Sequence, residues 1–358
     1  MISEFHSEIN KKKAAAFLRQ LFSEKRRMNL KKRIPELDFI KGIAIILVII
    51  GHVVSQVWSN DPAVYENTLL FRFCYSFHMP LFVFISGWIC RMTIRQDTGW
   101  LLKRLKRIGI PYILMTALVF FLLRNGNISH FISDSPYWYL LFIIIADSIF
   151  FLGEKYGRTT MIFTSVYAGI LLLNWRIPQN IGILRQLADF LPFYAAGTLV
   201  PLISTKTARL RTPALISSGV LYIALFPLYR HGISDQLERF RKLLSETELN
   251  PVLSLSIICF NKFIVPACGI ALIFLITNAL YALIITEKFR KTLEIAGNHT
   301  LAIYLLHDLF FVKSTGSFLL NSVFSIFTAF FVPLILSIVY NILKKKFLNN
   351  NLSKQKLL

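Results

Sequence analysis

Acidic residues are scarce in this sequence: 358 residues hold 19 Asp and Glu against 40 Lys and Arg, a formal charge of +21. Such an excess suggests nucleic acid, yet the basic residues fall into short clusters between apolar runs. Clusters of this kind are held on the cytoplasmic side of a membrane, so the charge reports inward-facing loops and no nucleic-acid partner is expected. Cysteine is sparse too. Cys74, Cys90, Cys259 and Cys268 all sit in apolar segments without a CxxC spacing or a neighbouring His/Cys cluster. That pattern indicates neither a disulfide framework nor zinc, and no metal is expected. The start, MISEFHSEINKKK, lacks the short basic stretch and apolar core of a cleavable signal peptide.

What is abundant is apolar surface. Hydrophobic residues make up 55% of the chain, above the roughly 45–50% usual in soluble domains, and the mean hydropathy is +0.56. Phe alone supplies 32 residues. Runs near the roughly 20 residues needed to cross a bilayer recur over 38–57, 69–90, 107–124, 136–152, 160–174, 187–203, 213–229, 258–285, 299–314 and 319–342. The fold expected is all-α, a polytopic membrane protein of about ten transmembrane helices enclosing a central polar cavity. An even number of spans puts Arg91, Arg95, Lys103 and Arg104, then Lys155 and Arg158, then Lys206, Arg209 and Arg211, then Lys288, Arg290 and Lys291, and finally Lys344–Lys346 on one side. Both termini are then cytoplasmic.

Residues 1–36 carry ten Lys or Arg between Lys11 and Arg33, with Phe5, Ile9, Phe17, Leu18, Leu21 and Phe22 at helix-like spacing. This predicts a basic amphipathic helix lying on membrane lipid. Residues 37–346 form the expected transmembrane domain, and 347–358 a cytoplasmic tail. The longest external segment, about 230–257, mixes acidic and basic residues and suits a polar lid or acceptor surface. No other non-membrane stretch exceeds the N-terminal tail, so the chemistry is expected inside the membrane part.

Ionisable residues inside spans cost several kcal/mol and mark candidate sites. The first span, ELDFIKGIAIILVIIGHVV, holds Asp38, Lys41 and His52. Eleven residues, about three turns, place Lys41 and His52 on one face roughly 16 Å apart. Taken singly, Lys41 also reads as a snorkelling interfacial lysine and His52 as a hydrogen-bonded core histidine. Gly51 allows close approach of a substrate or of a neighbouring helix. The second span holds Arg72, His78 and the helix-breaking Pro80. A polar pocket and a kink in which His78 caps a freed carbonyl are both consistent with it. In KRLKRIGIPY, Arg104 and Arg107 share a helical face and suit phosphate capture, although retention of a positive loop explains such a cluster as well. Trp138 reads as an interface anchor, and His307 with Asp308 as a weaker site. Asp147, Asp189, Asn261 and Lys262 lie in or near spans without a recognisable pattern.

Together RIPELDFIKGIAIILVIIGHV, FHMPLFVFISGW, KRLKRIGIPY, YWYLL and GNHTLAIYLLHDLF resemble, in order and over most of the chain, the acyltransferase-3 family of integral-membrane acyltransferases. The family acylates bacterial surface polysaccharides and related glycans. Its pattern of a basic residue, ten residues and a histidine is matched by Lys41 and His52, and its Arg-x-x-Arg by Arg104 and Arg107. The resemblance implies that His52 is catalytic and that Lys41, Arg104 and Arg107 belong to the site for the donor, acyl-coenzyme A and above all acetyl-coenzyme A. Asp38, Arg72, His78 and His307 are supporting candidates. Many members carry a fused SGNH hydrolase-like domain; none is recognisable here, so acceptor transfer is expected within the membrane unit or through a partner.

These readings converge on an O-acyltransferase, expected to be an O-acetyltransferase of the bacterial inner membrane, acting on a surface polysaccharide or its lipid-linked precursor. The donor's phosphates would meet Lys41, Arg104 and Arg107, and its pantetheine arm would run towards His52. His52 then serves either as general base for direct transfer or as an acylated intermediate, while Asp38 orients Lys41. A transporter or flippase of a lipid-linked glycan is the rival reading, since charged residues and broken helices also mark transport paths.

Overall fold

The computed structural model describes residues 35–58, 62–123, 136–176, 182–202, 208–231, 237, 240, 250–282, 287–311 and 318–355. The expected N-terminal amphipathic helix and most of the external segment lie outside them. Every regular element among the described residues is helical.

Helix α1 (Pro35–Val53) opens with proline, whose missing N–H is no loss in a first turn, and with Glu36 and Asp38 complementing the helix dipole. It continues into a π-helical turn, Val54–Trp58. A short helical turn, Pro62–Tyr65, leads to α2 (Leu69–Thr93), whose Thr68 hydroxyl caps the Phe71 amide at 3.3 Å. Then follow α3 (Thr98–Leu123), α4 (Trp138–Lys155), α5 (Thr159–Arg176), α6 (Gly182–Leu199) and α7 (Ala208–Leu225). Helices α8 (Pro251–Cys259) and α9 (Val265–Ala282) form one rod interrupted by a π turn, Phe260–Ile264. The chain ends in α10 (Glu287–Asn298), α11 (Thr300–Leu306) with a 3₁₀ turn His307–Phe310, and α12 (Phe318–Gln355).

Packing centres on α1 and α2. Helix α10 lies along α1, α6 lies along α2, and α9 packs against both α2 and α7. Two crossings are backbone to backbone. A methyl group at Gly297 would come within 1.6 Å of the Asp38 carbonyl oxygen, and one at Gly42 within 2.2 Å of that of Leu293. Between α2 and α6, methyl groups at Gly87 and Gly197 would come within 2.1 and 2.0 Å of the carbonyl oxygens of Tyr194 and Phe84 in the same reciprocal way. Small residues that let helices touch through their backbones are how helices associate in lipid, where burial from water supplies no drive. Trp88, Tyr194, Tyr222 and Phe39 fill the interior.

Among the described residues, four segments are long and apolar enough to cross a membrane: Pro35–Val57, Leu69–Thr93, Pro251–Tyr281 and Leu319–Lys344. The described residues of the other expected spans are also mostly helical, but Thr159–Leu173, Thr212–Leu228 and Thr300–Phe310 are short. The last, eleven residues at 1.5 Å each, reaches about 16 Å of a core about 30 Å thick. Three differences from expectation concern boundaries. The eighth span starts at Pro251, capped by Asn250, which shortens the external segment. The cluster Lys288, Arg290 and Lys291, expected as a loop, lies on α10. Helix α12 runs through the expected tail as far as Gln355.

Candidate active site

Two polar clusters lie along α1. Near its start, the Lys41 ammonium is 2.6 Å from the Asp38 carboxylate, one turn earlier. A cavity of about 220 Å³ opens beside it, bordered by Lys41, Arg104, Arg107, Ser86, Tyr139 and Tyr304 among others. The three cations expected to hold the donor therefore share one space. Arg104 Nε donates to Asp147 Oδ2 at 2.7 Å, and the Tyr194 hydroxyl donates to Asp147 Oδ1 at 2.6 Å. No part of the Asp147 side chain is exposed, whereas a fifth of that of Arg104 is. A carboxylate so buried is stable only when its oxygens are matched by donors and charge, and here a guanidinium and a phenol supply both. Arg107, exposed, makes no ion pair among the described residues.

At the other end of α1, the His52 ring lies 5.1 Å, centre to centre, from that of His307. Ligating atoms of His52, His307 and Asp308 all fall within 4.8 Å of one another. His307 Nδ1 lies 2.8 Å from the Tyr304 carbonyl oxygen. A carbonyl accepts only from N–H, so Nδ1 carries the proton and Nε2 faces Asp308 Oδ1 at 3.3 Å. The π turn after His52 brings the Gln56 amide to 3.3 Å from the same carboxylate oxygen. Tyr75 sits edge-on to His52 at 6.2 Å, to His78 at 4.7 Å and to His231 at 5.1 Å. Tyr304 connects the clusters: it borders the cavity, and its ring lies 6.1 Å from that of His307. Its hydroxyl donates to the Pro136 carbonyl at 3.1 Å.

The remaining expected residues are placed differently. Arg72 donates to the carbonyls of Phe226, Pro227 and Tyr229 and lies over the Phe226 ring, tying the 3₁₀ turn that follows α7 (Phe226–Leu228) to α2. His78 Nδ1 bonds the Cys74 carbonyl at 2.7 Å, whereas the carbonyl released by Pro80 belongs to Ser76. The space beside Gly51 is taken by the Tyr75 ring, 2.9 Å from where a methyl would stand. Trp138 stacks on Phe190 at 5.2 Å. Lys262, in the π turn between α8 and α9, pairs with Asp189. Asp147, Tyr304 and Gln56 were not among the expected site residues. A carboxylate in the apolar run of α4 was the signal available for Asp147; the other two gave none.

Residues 34–342 match the family described as Acyltransferase domain. Two nodulation proteins named NolL are similar: one from Sinorhizobium fredii (strain NBRC 101917 / NGR234), 26% identical over 45% of this chain and 47% of the relative; the other from Mesorhizobium japonicum (strain LMG 29417 / CECT 9101 / MAFF 303099), 34% identical over 23% and 22%. The chain thus spans less than half the length of these relatives. No solved structure matches it. With five motifs in family order and a match covering nearly all of the helical domain, the chain belongs to the acyltransferase-3 family.

Proposed function

We propose that the chain is a membrane O-acyltransferase that moves an acyl group, an acetyl group from acetyl-coenzyme A in the first instance, onto a hydroxyl of a bacterial surface polysaccharide or its lipid-linked precursor. The observation carrying this reading is that Lys41, Arg104 and Arg107 border one cavity while His52 occupies the far end of the helix that bears Lys41. Phosphates of the donor suit the cationic end. Its extended arm suits the roughly 16 Å between Lys41 and His52, passing Tyr304 and His307.

At His52 the acceptor hydroxyl gives its proton to the imidazole as its oxygen attacks the thioester carbonyl. The carbon–sulfur bond then breaks, and the imidazolium returns the proton to the leaving thiolate. Support for this geometry comes from the cluster around His52, where His307, Asp308 and Gln56 gather at the end of α1 away from the cations. About ten crossings around a central polar cavity, with both termini cytoplasmic in an inner membrane, complete the proposal.

Incubating the purified chain with labelled acetyl-coenzyme A and candidate glycans tests it. Thioester consumption that depends on His52 is expected, whereas full consumption by His52→Ala at normal protein level would refute the assignment. Arg104→Ala/Arg107→Ala is expected to weaken donor binding more than acceptor preference. Unchanged donor affinity in that variant removes the phosphate-site reading, and no consumption with any glycan favours transport.

A further inference from the structure

We propose that His52, His307 and Asp308 form a site for one divalent transition-metal ion of the zinc type, and that its occupation shuts the reaction centre. The binding half stands on geometry alone; the shut-off half rests on the acyl-transfer reading.

The first observation is an unmatched pair of acceptors. His307 is 3% exposed, and its Nε2 is buried without a hydrogen-bond partner. Because Nδ1 donates to the Tyr304 carbonyl, Nε2 keeps its lone pair, and the Asp308 oxygen stands 3.3 Å away, off the line of a hydrogen bond. Two electron pairs so placed repel unless a cation lies between them, and burial raises that cost. A proton or a metal ion satisfies the requirement, and a metal ion draws on His52 as well.

The second observation is the spacing. Zinc bound at about 2.0–2.1 Å in a tetrahedral site holds its ligand atoms roughly 3.3 Å apart. His307 and Asp308 are already at 3.3 Å. The full set lies within 4.8 Å, so closing a tetrahedral site asks for ligand shifts of about 1.5 Å or less.

The third observation is outer support. Histidine ligands commonly donate their second nitrogen to a carbonyl, and ligating carboxylates accept an outer hydrogen bond. Tyr304 and Gln56 provide these two contacts. Two imidazoles and one carboxylate suit zinc and its neighbours and disfavour magnesium and calcium. Asp308, with 32% of its side chain exposed, gives access from outside. Once bound, the ion takes the lone pair with which His52 would accept the hydroxyl proton.

The full-length chain in detergent is titrated with Co²⁺ followed by visible absorbance, then with Zn²⁺ in competition. One equivalent with tetrahedral bands is expected, lost in His52→Ala, His307→Ala and the near-isosteric Asp308→Asn, and retained in His299→Gln, whose ring pairs with Ser337 elsewhere. Gln56→Leu is expected to weaken binding about 10- to 100-fold. No bands in the wild-type chain, or the same bands in Asp308→Asn, overturn the site. Zinc is expected to stop acetyl-coenzyme A consumption and a chelator to restore it. Binding with undiminished turnover overturns the shut-off. Zinc held by these residues in a chain that never consumes the thioester counts against acyl transfer and leaves the metal site standing.

Discussion

Replacing Asp147 with asparagine keeps the side chain's volume and removes its charge, which isolates what the Arg104–Asp147 contact does. Breaking a buried ion pair by removing one partner costs about 3–5 kcal/mol, because the surviving charge is left unmatched. In Asp147→Asn the survivor is Arg104, a fifth exposed and facing a cavity. Water there softens the loss, and the lower end, about 3 kcal/mol, is expected. In Arg104→Gln the survivor is a carboxylate with no exposure, left with the Tyr194 hydroxyl, and about 4 kcal/mol is expected. The double variant restores a neutral, hydrogen-bonding pair. It is expected to fall short of the summed single losses by about 2–3 kcal/mol. Denaturant unfolding in detergent micelles, followed by tryptophan fluorescence, measures all four corners of this cycle. Additivity within about 0.5 kcal/mol would show that the contact is not an energetic unit, and the account of the cavity wall would be wrong.

Further outcomes follow from particular contacts. Gly197→Ala sets a methyl 2.0 Å from the Phe84 carbonyl oxygen; α2 and α6 must separate, costing about 1–3 kcal/mol, and the folded yield on size exclusion is expected to fall, while Gly169→Ala, where nothing lies within 4 Å, is expected to be neutral. Arg72→Ala removes a donor shared by three carbonyls just beyond α7 and is expected to lower the melting temperature without changing KM for acetyl-coenzyme A; a selective rise in KM would place Arg72 in the donor site instead. Gln56→Leu removes the amide bonded to Asp308 and is expected to lower kcat more than it alters donor KM, the reverse of Arg107→Ala.

The helical architecture was legible because lipid allows an isolated span few alternatives, and runs such as 38–57 and 69–90 declare themselves by length. Lys41 and His52 were legible because one helix fixes their relation. What escaped depends on pairing across the chain: Asp147 meets Arg104 from 43 residues away, and Gln56 meets Asp308 from 252. The grouping of His307 and Asp308 with His52 depends in the same way on pairing across the chain, since the turn after α11 carries the first two to the end of α1. Helix α10 escaped for another reason. Its charges read as a loop, although Leu293, Ala296 and Gly297, the positions it buries, stand at helical spacing.

Two of the three cations at the cavity already own carboxylates: Lys41 has Asp38 and Arg104 has Asp147, while Arg107 makes no ion pair among the described residues. On the proposed reading an arriving phosphate meets bare charge only at Arg107; at Lys41 and Arg104 it displaces or shares a resident anion, and binding there becomes an exchange. Such a mouth stays tolerable in the apolar interior when empty. On the same reading it gives the spent carrier a way out, since Asp38 and Asp147 are in place to reclaim their cations as the thiol product leaves.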